Sequence, residues 1–377
     1  MLVISSHDQK EQNLKEIKEI VSDNGGRLMI FGGGVYAKIV SGYLMEHGVD
    51  AEIRCVLDDP YVTEEQKNSG VIAFSEYLKE YANEVPLILG VYDYRIIQKK
   101  REQYVNEIPY MYEFHFAVVN NERIDWNREY IEEHWEQFRE TYEMLSSEGS
   151  RDAMQAYLNA AVADGFHKLF TDFRDEVPYF SNHLSGCKID RLFDCGAYDG
   201  DSAHDFIDAY PEYDRIYEFE PDCSNIRKIE ERVVNENIRD LTIVDKGVWS
   251  DTTTLCFQAE GKSSSSISDE GEMRIDVIKL DDMYDQFTSN SLIKMDIEGS
   301  ELEALKGAAN VIMDISPSLA ICVYHKREDL ITIPQFISSL VGTGVYDYHI
   351  GYQGLDLAEL VFYAVAKKND GRKQDYE

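Results

Sequence analysis

Basic residues are scarce in this chain of 377 residues. Lys and Arg number 37 against 71 Asp and Glu, which gives a formal net charge of -34. Proteins that bind nucleic acid need clustered Lys and Arg to neutralise phosphates, and anionic membrane surfaces attract the same side chains. We therefore expect neither nucleic acid nor a membrane as a partner.

Paired cysteine motifs and long apolar runs are also missing. The six cysteines show no CxxC spacing, which favours reduced, mostly buried thiols over a disulfide or zinc framework. The first twenty residues lack a cationic start followed by an apolar core, and no apolar run approaches the length of a membrane span. These absences predict a soluble cytoplasmic protein.

The length and the order of the elements predict an α/β protein with two domains and a connector. A chain of this size is too long for one typical core, and its 44% hydrophobic content is that of a globular protein. We predict a smaller Rossmann-like domain over residues 1–120, a helical connector over 121–186, and a second α/β domain over 187–377. A Ser-rich segment within Thr252 to Lys279 predicts an inserted hairpin.

The first domain carries a glycine-rich turn. A predicted strand, Arg27 to Phe31, runs into Gly32, Gly33 and Gly34, and Ala37 completes a GxGxxA pattern. A second strand, Glu52 to Leu57, ends in Asp58 and Asp59, where a dinucleotide fold places its ribose-binding acid. Two interpretations stay open: the domain binds a nucleotide or nucleotide sugar, or the glycines only permit tight packing of strand against helix.

A second glycine-rich turn, LFDCGAYDG, begins the second domain. A short strand ends in Asp194 and enters a bend with Gly196 and Gly200, and Glu220 ends the next strand 24 positions after Gly196. An acid at that place can bind both hydroxyls of a ribose. The DxGxxxG form lacks the GxGxxG that pyrophosphate binding needs, and a carboxylate suits a sulfonium ligand. We therefore predict S-adenosylmethionine rather than NAD as the cofactor.

Five motifs in the second half of the chain resemble the FkbM-type S-adenosylmethionine-dependent methyltransferases. They read FDCGAYDGDS, YEFEPD, KLDD, IKMDIEGSELEALKGA and AICVYHKREDL, and the resemblance covers roughly Tyr179 to Lys367. It implies a class I methyltransferase domain with a Rossmann-like, seven-stranded sheet. It also implies that Gly196, Ala197 and Gly200 face the methionine moiety, Glu220 the ribose, and Gly247, Val248 and Trp249 the adenine edge.

Three residues at predicted strand ends are candidates for removing the proton of a methyl acceptor. They are Asp296, His325 and Glu298. Each has an alternative role: Asp296 can bind the cofactor's amino group, and His325 can be an edge histidine without function. Glu298 can cap the helix that begins at Ser300, whose side chain we expect to form a capping box with Glu303.

A metal site is not favoured. Asp296 with Asp281 or Asp282 offers carboxylates that can hold a divalent cation, but no dedicated spacing demands one. The prediction is a methyltransferase without a bound metal.

The sequence thus predicts an S-adenosylmethionine-dependent O-methyltransferase that acts on a hydroxyl of a sugar, a glycan precursor or another small molecule. The first domain then holds a nucleotide-activated part of the acceptor. The alternative is a non-catalytic or bifunctional nucleotide-sugar-binding protein that retains the methyltransferase fold. Whether the chain forms a homo-oligomer stays open.

Overall fold

A computed structural model describes residues 1–5, 9–114, 128–162, 166–175, 177–180, 182–257, 273–355 and 357–367. The chain divides into two compact units. The first contains Met1–Glu133, Met154–Phe173 and Gly354–Ala358, and the second contains His134–Ala153, Arg174–Gln353 and Glu359–Glu377. Each unit is described by itself.

The first unit is an α/β unit around a five-stranded parallel sheet. Its strands follow the order β3-β2-β1-β4-β5, and neighbouring strands pair in parallel. The strands are β1 (Arg27–Phe31), β2 (Glu52–Leu57), β3 (Ile72–Ala73), β4 (Leu87–Leu89) and β5 (Met111–Glu113). The helices up to Glu133 are α1 (Gln9–Asp23), α2 (Val35–Glu46), α3 (Glu64–Asn68), α4 (Phe74–Glu80), α5 (Tyr94–Tyr104) and α6 (Arg128–Glu133).

The apolar strand β1 and one face of α1 supply much of the core of this unit. Leu14, Ile17 and Val21 keep a helical period and are buried with Leu28 and Ile30. At the end of β1, Gly32 has φ +122°, and a Cβ there would lie 2.5 Å from the carbonyl oxygen of Gly90. Only glycine fits this approach of two backbones, which supports the packing interpretation for the first glycine of the turn.

Three helices follow α6. They are α7 (Trp135–Met144), α8 (Glu148–Val162) and α9 (Phe166–Phe173). Phe138 and Tyr142 lie four positions apart on α7, and both side chains are buried. Residues 145–147 separate α7 from α8, which begins at Glu148. The first residues of the predicted connector, 121–127, lie outside the described residues.

The second unit is built on a seven-stranded sheet in the order β14-β15-β13-β12-β6-β7-β8. Pairing is parallel from β8 to β13, and β15 runs antiparallel to both β13 and β14. The strands are β6 (Arg191–Cys195), β7 (Arg215–Phe219), β8 (Leu241–Val244), β12 (Ser291–Met295), β13 (Ser318–Cys322), β14 (Tyr346–Tyr352) and β15 (Leu360–Ala366). The prediction of an α/β fold with parallel sheets is therefore confirmed.

Helices follow β6, β7, β12 and β13 of this sheet. They are α10 (Asp201–Ala209), α11 (Cys223–Glu236), α12 (Glu301–Lys306), α13 (Ala309–Asp314) and α14 (Asp329–Val341). Every residue of β12 and β13 is buried, as expected for central parallel strands that are covered on both faces. Short 3₁₀ helices span Asp59–Tyr61, Asn182–Leu184 and Leu280–Gln286.

A separate three-stranded sheet interrupts the second unit. Its order is β10-β11-β9, with β9 (Gly247–Val248), β10 (Thr253–Phe257) and β11 (Met273–Ile278). Because β10 and β11 pair in antiparallel register, the predicted hairpin is confirmed. Its Ser-rich turn lies outside the described residues.

The cysteines and the helices bear on two further expectations. All six cysteines are free, but Cys195 and Cys322 alone are buried and Cys223 is exposed, so the expectation of mostly buried thiols was wrong.

Among the residues described, no helix combines the length and the apolar character that crossing a membrane would require.

Candidate functional site

The carboxyl ends of β6, β7, β12 and β13 meet at one edge of the seven-stranded sheet. Residues Lys294, Asp194 and Glu218 lie opposite one another on β12, β6 and β7. In an open α/β sheet, ligands bind outside this edge. The predicted cofactor and catalytic residues follow directly after these strands.

The turn after β6 requires glycine at two places. Gly196 has φ +84°, and a Cβ there would lie 2.0 Å from the carbonyl oxygen of Asp296. Gly200 has φ +82°, precedes α10, and donates its N–H to the carbonyl of Ala197 at 2.8 Å. The backbone of this turn therefore lies directly against the start of the loop after β12.

Glu220 is tied to the same turn. Its Oε2 accepts the N–H of Tyr198 at 3.0 Å, and its Oε1 accepts the N–H of Asp222 at 2.9 Å. Burial raises the pKa of Glu220, while the backbone N–H groups act to lower it. A carboxylate oxygen can accept more than one hydrogen bond, so both oxygens retain capacity for ligand hydroxyls.

Asp194 lies below the turn rather than on its open side. Its side chain is 0% exposed, and Oδ1 is 2.8 Å from Nζ of Lys294. The same Nζ donates to the carbonyl of Gly196 at 2.9 Å. Asp194 therefore braces the turn through Lys294. The sequence did contain a signal for this pair, since Lys294 is the one charged residue in the buried strand SLIKM.

A second buried acid continues this row. Glu218 is fully buried, and neither of its carboxylate oxygens makes a hydrogen bond to a described residue. Burial, reinforced by the charge of Asp194, raises the pKa of Glu218 to about 8. Glu218 is therefore protonated at neutral pH, which leaves Lys294 and Asp194 as a charge-balanced pair.

Asp296 follows β12 and is held by two tyrosines. The Tyr179 hydroxyl donates to Oδ2 at 2.7 Å, and the Tyr324 hydroxyl donates to Oδ1 at 3.1 Å. Burial acts to raise the pKa of Asp296, but Lys294, His325 and the two hydroxyls together hold it below its usual value. Asp296 is therefore an ionised carboxylate of fixed orientation. The predictions did not include either tyrosine.

His325 lies among three acids. Its Nε2 is 3.4 Å from Asp296 Oδ1 and 3.7 Å from Glu298 Oε2, and its Nδ1 is 2.9 Å from Glu301 Oε1. Burial acts to lower the pKa of His325, but Glu301 and the other two carboxylates raise it above its usual value. The structure thus brings together all three predicted catalytic residues and adds Glu301, which the predictions did not include.

The predicted capping box at the start of α12 was wrong. Ser300 makes no side-chain cap hydrogen bond, and Glu303 pairs with Lys306. The buried Glu301 instead accepts the N–H of Ile297 through Oε1 at 2.9 Å. Since Glu301 is the acid that turns inward, Glu303 lies on the outer side, where a lysine one turn away is its natural partner.

The predicted adenine-edge residues lie at the three-stranded sheet. Gly247 and Val248 form β9, and the N–H of Trp249 donates to the carbonyl of Ile278 at 3.1 Å. A Cβ on Gly247 would lie 4.0 Å from Pro221, the residue after Glu220. This places Gly247 near the predicted ribose acid, and the adenine role of all three stays a prediction.

The other acids considered for a metal have local partners. Asp281 accepts hydrogen bonds from the Asn310 amide side chain at 2.8 Å and from the Val311 N–H at 3.0 Å, which caps α13. Asp282 accepts from the Thr252 hydroxyl. Neither joins the group of possible metal ligands around Asp296.

In the first unit, the predicted ribose-binding acids are also engaged. Asp58 pairs with Lys100, whose Nζ lies 3.6 Å from the centroid of the Phe74 ring. Asp59 accepts the Ser75 N–H at 3.1 Å. These contacts hold β2 to α4 and α5, and a ligand role for the two acids stays a prediction.

Comparisons with known proteins bear on the second unit and on the fold. Residues 194–341 match the family model described as Methyltransferase FkbM domain. A crystal structure of a methyltransferase FkbM from Methylobacillus flagellatus is similar with a TM-score of 0.65 at 21% identity, covering 96% of this chain and 94% of that chain. This likeness concerns the fold. A search of curated proteins finds no match.

Two further structures resemble about half of the chain. An rRNA methylase from Streptococcus thermophilus gives a TM-score of 0.31 at 10% identity, covering 48% of this chain and 88% of that chain. Fibrillarin from Aeropyrum pernix, solved with bound S-adenosyl-L-methionine, gives 0.30 at 12% identity, covering 48% of this chain and 67% of that chain. Both likenesses are too weak to support a conclusion.

Proposed function

Since residues 194–341 carry an FkbM methyltransferase domain, we propose that the protein transfers the methyl group of S-adenosylmethionine to a hydroxyl oxygen of a sugar, a glycan precursor or another hydroxylated small molecule. One observation carries this proposal. The glycine turn after β6 touches the backbone of Asp296, so a cofactor on the turn lies beside the acid and histidine side chains of the site.

The cofactor end comprises the turn and Glu220. The positive φ of Gly196 and Gly200 lets the ligand's methionine part approach the main chain, and the carboxylate of Glu220 accepts the ribose hydroxyls. Asp296 and Glu298 place negative charge on the side where the sulfonium would lie. Asp194 contributes indirectly, through Lys294 and the carbonyl of Gly196.

The acceptor end comprises Asp296, Glu298 and His325. Methyl transfer is an in-line displacement: the acceptor oxygen bonds to the methyl carbon, the carbon–sulfur bond breaks, and its electron pair stays on sulfur as neutral S-adenosylhomocysteine. The hydroxyl proton passes to one of these three side chains. The protein therefore mainly aligns oxygen, methyl and sulfur and excludes water.

The choice of a hydroxyl acceptor is supported by the polar groups at this end. Asp296 is 26% exposed and Glu298 is 65% exposed, so carboxylates reach the open side of the site and can accept hydrogen bonds from neighbouring hydroxyls. Such a surface suits a polyhydroxylated molecule better than an apolar one.

Calorimetry tests the cofactor assignment. We expect one S-adenosylmethionine site per chain and at least tenfold weaker binding in Glu220→Gln, because a bidentate hydrogen-bond acceptor for the ribose is lost. Glu231→Gln, an exposed acid on α11, is the matched control and should bind as the wild type does. Equal affinity in Glu220→Gln would remove Glu220 from the ribose role.

A turnover assay tests the acceptor end. The full chain is incubated with S-adenosylmethionine and a panel of sugars and nucleotide sugars, and S-adenosylhomocysteine is measured. We expect both Asp296→Asn and His325→Ala to lose most turnover, and His325→Ala to retain cofactor binding. Turnover at the wild-type rate in His325→Ala would exclude a catalytic role for the ring.

A ligand of the first unit is the second candidate function. In the strand order of its sheet, β2 and β3 lie on one side of β1, and β4 and β5 lie on the other. Nucleotides bind at such a switch point between neighbouring strands. We propose that the end of β1 holds the nucleotide part of an activated acceptor. Titrating the full chain with nucleotide sugars should give binding that Gly33→Asp weakens, and no binding of any of them would refute this role.

A further inference from the structure

Three possible metal ligands converge at the acceptor end. They are Asp296, Glu301 and His325, called here the acid–histidine cluster. Each offers one ligand atom, and these atoms all lie within 4.8 Å of one another. Two carboxylates with one imidazole suit Mn²⁺, Fe²⁺, Co²⁺ or Zn²⁺ better than Ca²⁺ or Mg²⁺, which prefer oxygen alone. We propose that the acid–histidine cluster binds one divalent transition-metal cation.

Three buried polar atoms of the cluster have no hydrogen-bond partner in the protein. Within the described part of the chain, Glu301 Oε2 and both ring nitrogens of His325 make no hydrogen bond, even though Nδ1 lies only 2.9 Å from Glu301 Oε1. The Glu301 side chain is 0% exposed and that of His325 is 7% exposed. Unsatisfied buried polar atoms are costly, and a cation shared by the two carboxylates and one ring nitrogen reduces that cost.

The charge around the cluster also favours a cation. The carboxylates of Asp296, Glu298 and Glu301 all face one imidazole ring. Among the described residues, no Lys or Arg forms an ion pair with Asp296 or Glu301. Lys294 pairs with Asp194, and Lys326 donates to the carbonyl of Gly299.

The cluster is also held rigidly, as metal ligands usually are. The hydroxyls of Tyr179 and Tyr324 fix the Asp296 carboxylate, and the Ile297 N–H fixes Glu301 Oε1. Outer hydrogen bonds of this kind orient ligands and tune their affinity. Asp296, at 26% exposed, gives the ion a path from solvent.

The role of the cation rests on the proposed function. A bound cation would hold the acceptor hydroxyl through its oxygen and lower the pKa of that hydroxyl. His325 is then a ligand, and the hydroxyl proton passes to Glu298, whose Oε2 lies 3.7 Å from Nε2. The cation keeps its charge throughout, so the step needs no oxidant or reductant.

Manganese binding tests the site without any turnover. The full chain is stripped with a chelator, passed into chelator-free buffer and titrated with MnCl₂, and free Mn²⁺ is followed by electron paramagnetic resonance. We expect one bound ion per chain. Glu301→Gln and His325→Gln should weaken binding about tenfold or more, while Glu328→Gln, an exposed acid close by, should leave it unchanged.

Thermal unfolding covers the case in which a variant folds poorly. Wild-type protein should melt at a higher temperature with Mn²⁺ than without it, because an ion that binds only the folded state stabilises it. Equal Mn²⁺ affinity in wild type and Glu301→Gln, or no Mn²⁺, Co²⁺ or Zn²⁺ bound by folded wild type, would overturn the proposal.

The two proposals fail in different ways. If the stripped protein binds S-adenosylmethionine and methylates an acceptor at full rate in the chelator, the role of the cation in methyl transfer is refuted and the methyltransferase function stands. If the ion binds but S-adenosylmethionine does not, the metal site stands and the proposed function is refuted.

Discussion

Neutralising Glu218 should change how the stability of the protein depends on pH. Burial raises the pKa of this carboxyl from 4.5 to about 8, so the folded state holds a proton that the unfolded chain has already released. Stability is then highest below the unfolded pKa and falls as the pH rises through this window. At 1.36 kcal/mol for each pH unit, the fall between pH 6 and 8 amounts to at most about 3 kcal/mol.

The variant Glu218→Gln is neutral at every pH and escapes this loss. We expect the unfolding free energy of the variant, relative to that of wild type, to rise by up to about 3 kcal/mol between pH 6 and pH 9. Urea unfolding of both proteins at the two pH values measures this change. Glu230→Gln, an exposed acid on α11, should show no such movement. A difference that stays constant between the two pH values would refute the assignment of a buried, protonated Glu218.

Three further changes test the packing around the site. Gly196→Ala places a Cβ 2.0 Å from the Asp296 carbonyl at φ +84°, so its melting temperature should fall well below that of Gly344→Ala, which meets no atom within 4 Å; equal melting temperatures would contradict the close approach. Lys294→Met leaves Asp194 buried and unpaired, which should lower the unfolding free energy in urea by roughly 3 to 5 kcal/mol. Adding Asp194→Asn should recover part of that loss, and no recovery would contradict a stabilising ion pair. Tyr179→Phe removes a hydrogen bond to an ionised carboxylate, worth about 1.5 to 3 kcal/mol, so turnover should fall about tenfold or more with unchanged affinity for S-adenosylmethionine; unchanged turnover would argue against a fixed Asp296.

The periodic elements were predictable from the sequence because their signals are local. Strands β1 and β2 have the predicted bounds, since each is a short run of strand-forming residues followed by turn residues. The order of motifs in the second half predicted a parallel sheet whose strand ends carry the functional residues. The division of the chain at residues 120 and 186 stays a prediction.

The contacts inside the site were not predictable, because they join residues far apart in the chain. Tyr179 reaches Asp296 across 117 positions, and no local pattern marks such a contact. Glu301 lies only five positions after Asp296, but a helical first turn rich in acids is normal, so nothing in the sequence showed which of Glu301 and Glu303 turns inward. The expected capping box failed for the same reason.

The most direct measurement of the central claim follows the methyl group itself. The full chain is incubated with S-adenosylmethionine labelled with ¹³C in its methyl group and with the panel of sugars and nucleotide sugars, and the products are examined by NMR. The account predicts a labelled methyl on an oxygen, with an equal amount of S-adenosylhomocysteine, in wild type but not in Asp296→Asn. A labelled methyl on nitrogen, carbon or sulfur, or failure of the folded protein to bind S-adenosylmethionine at all, would contradict it.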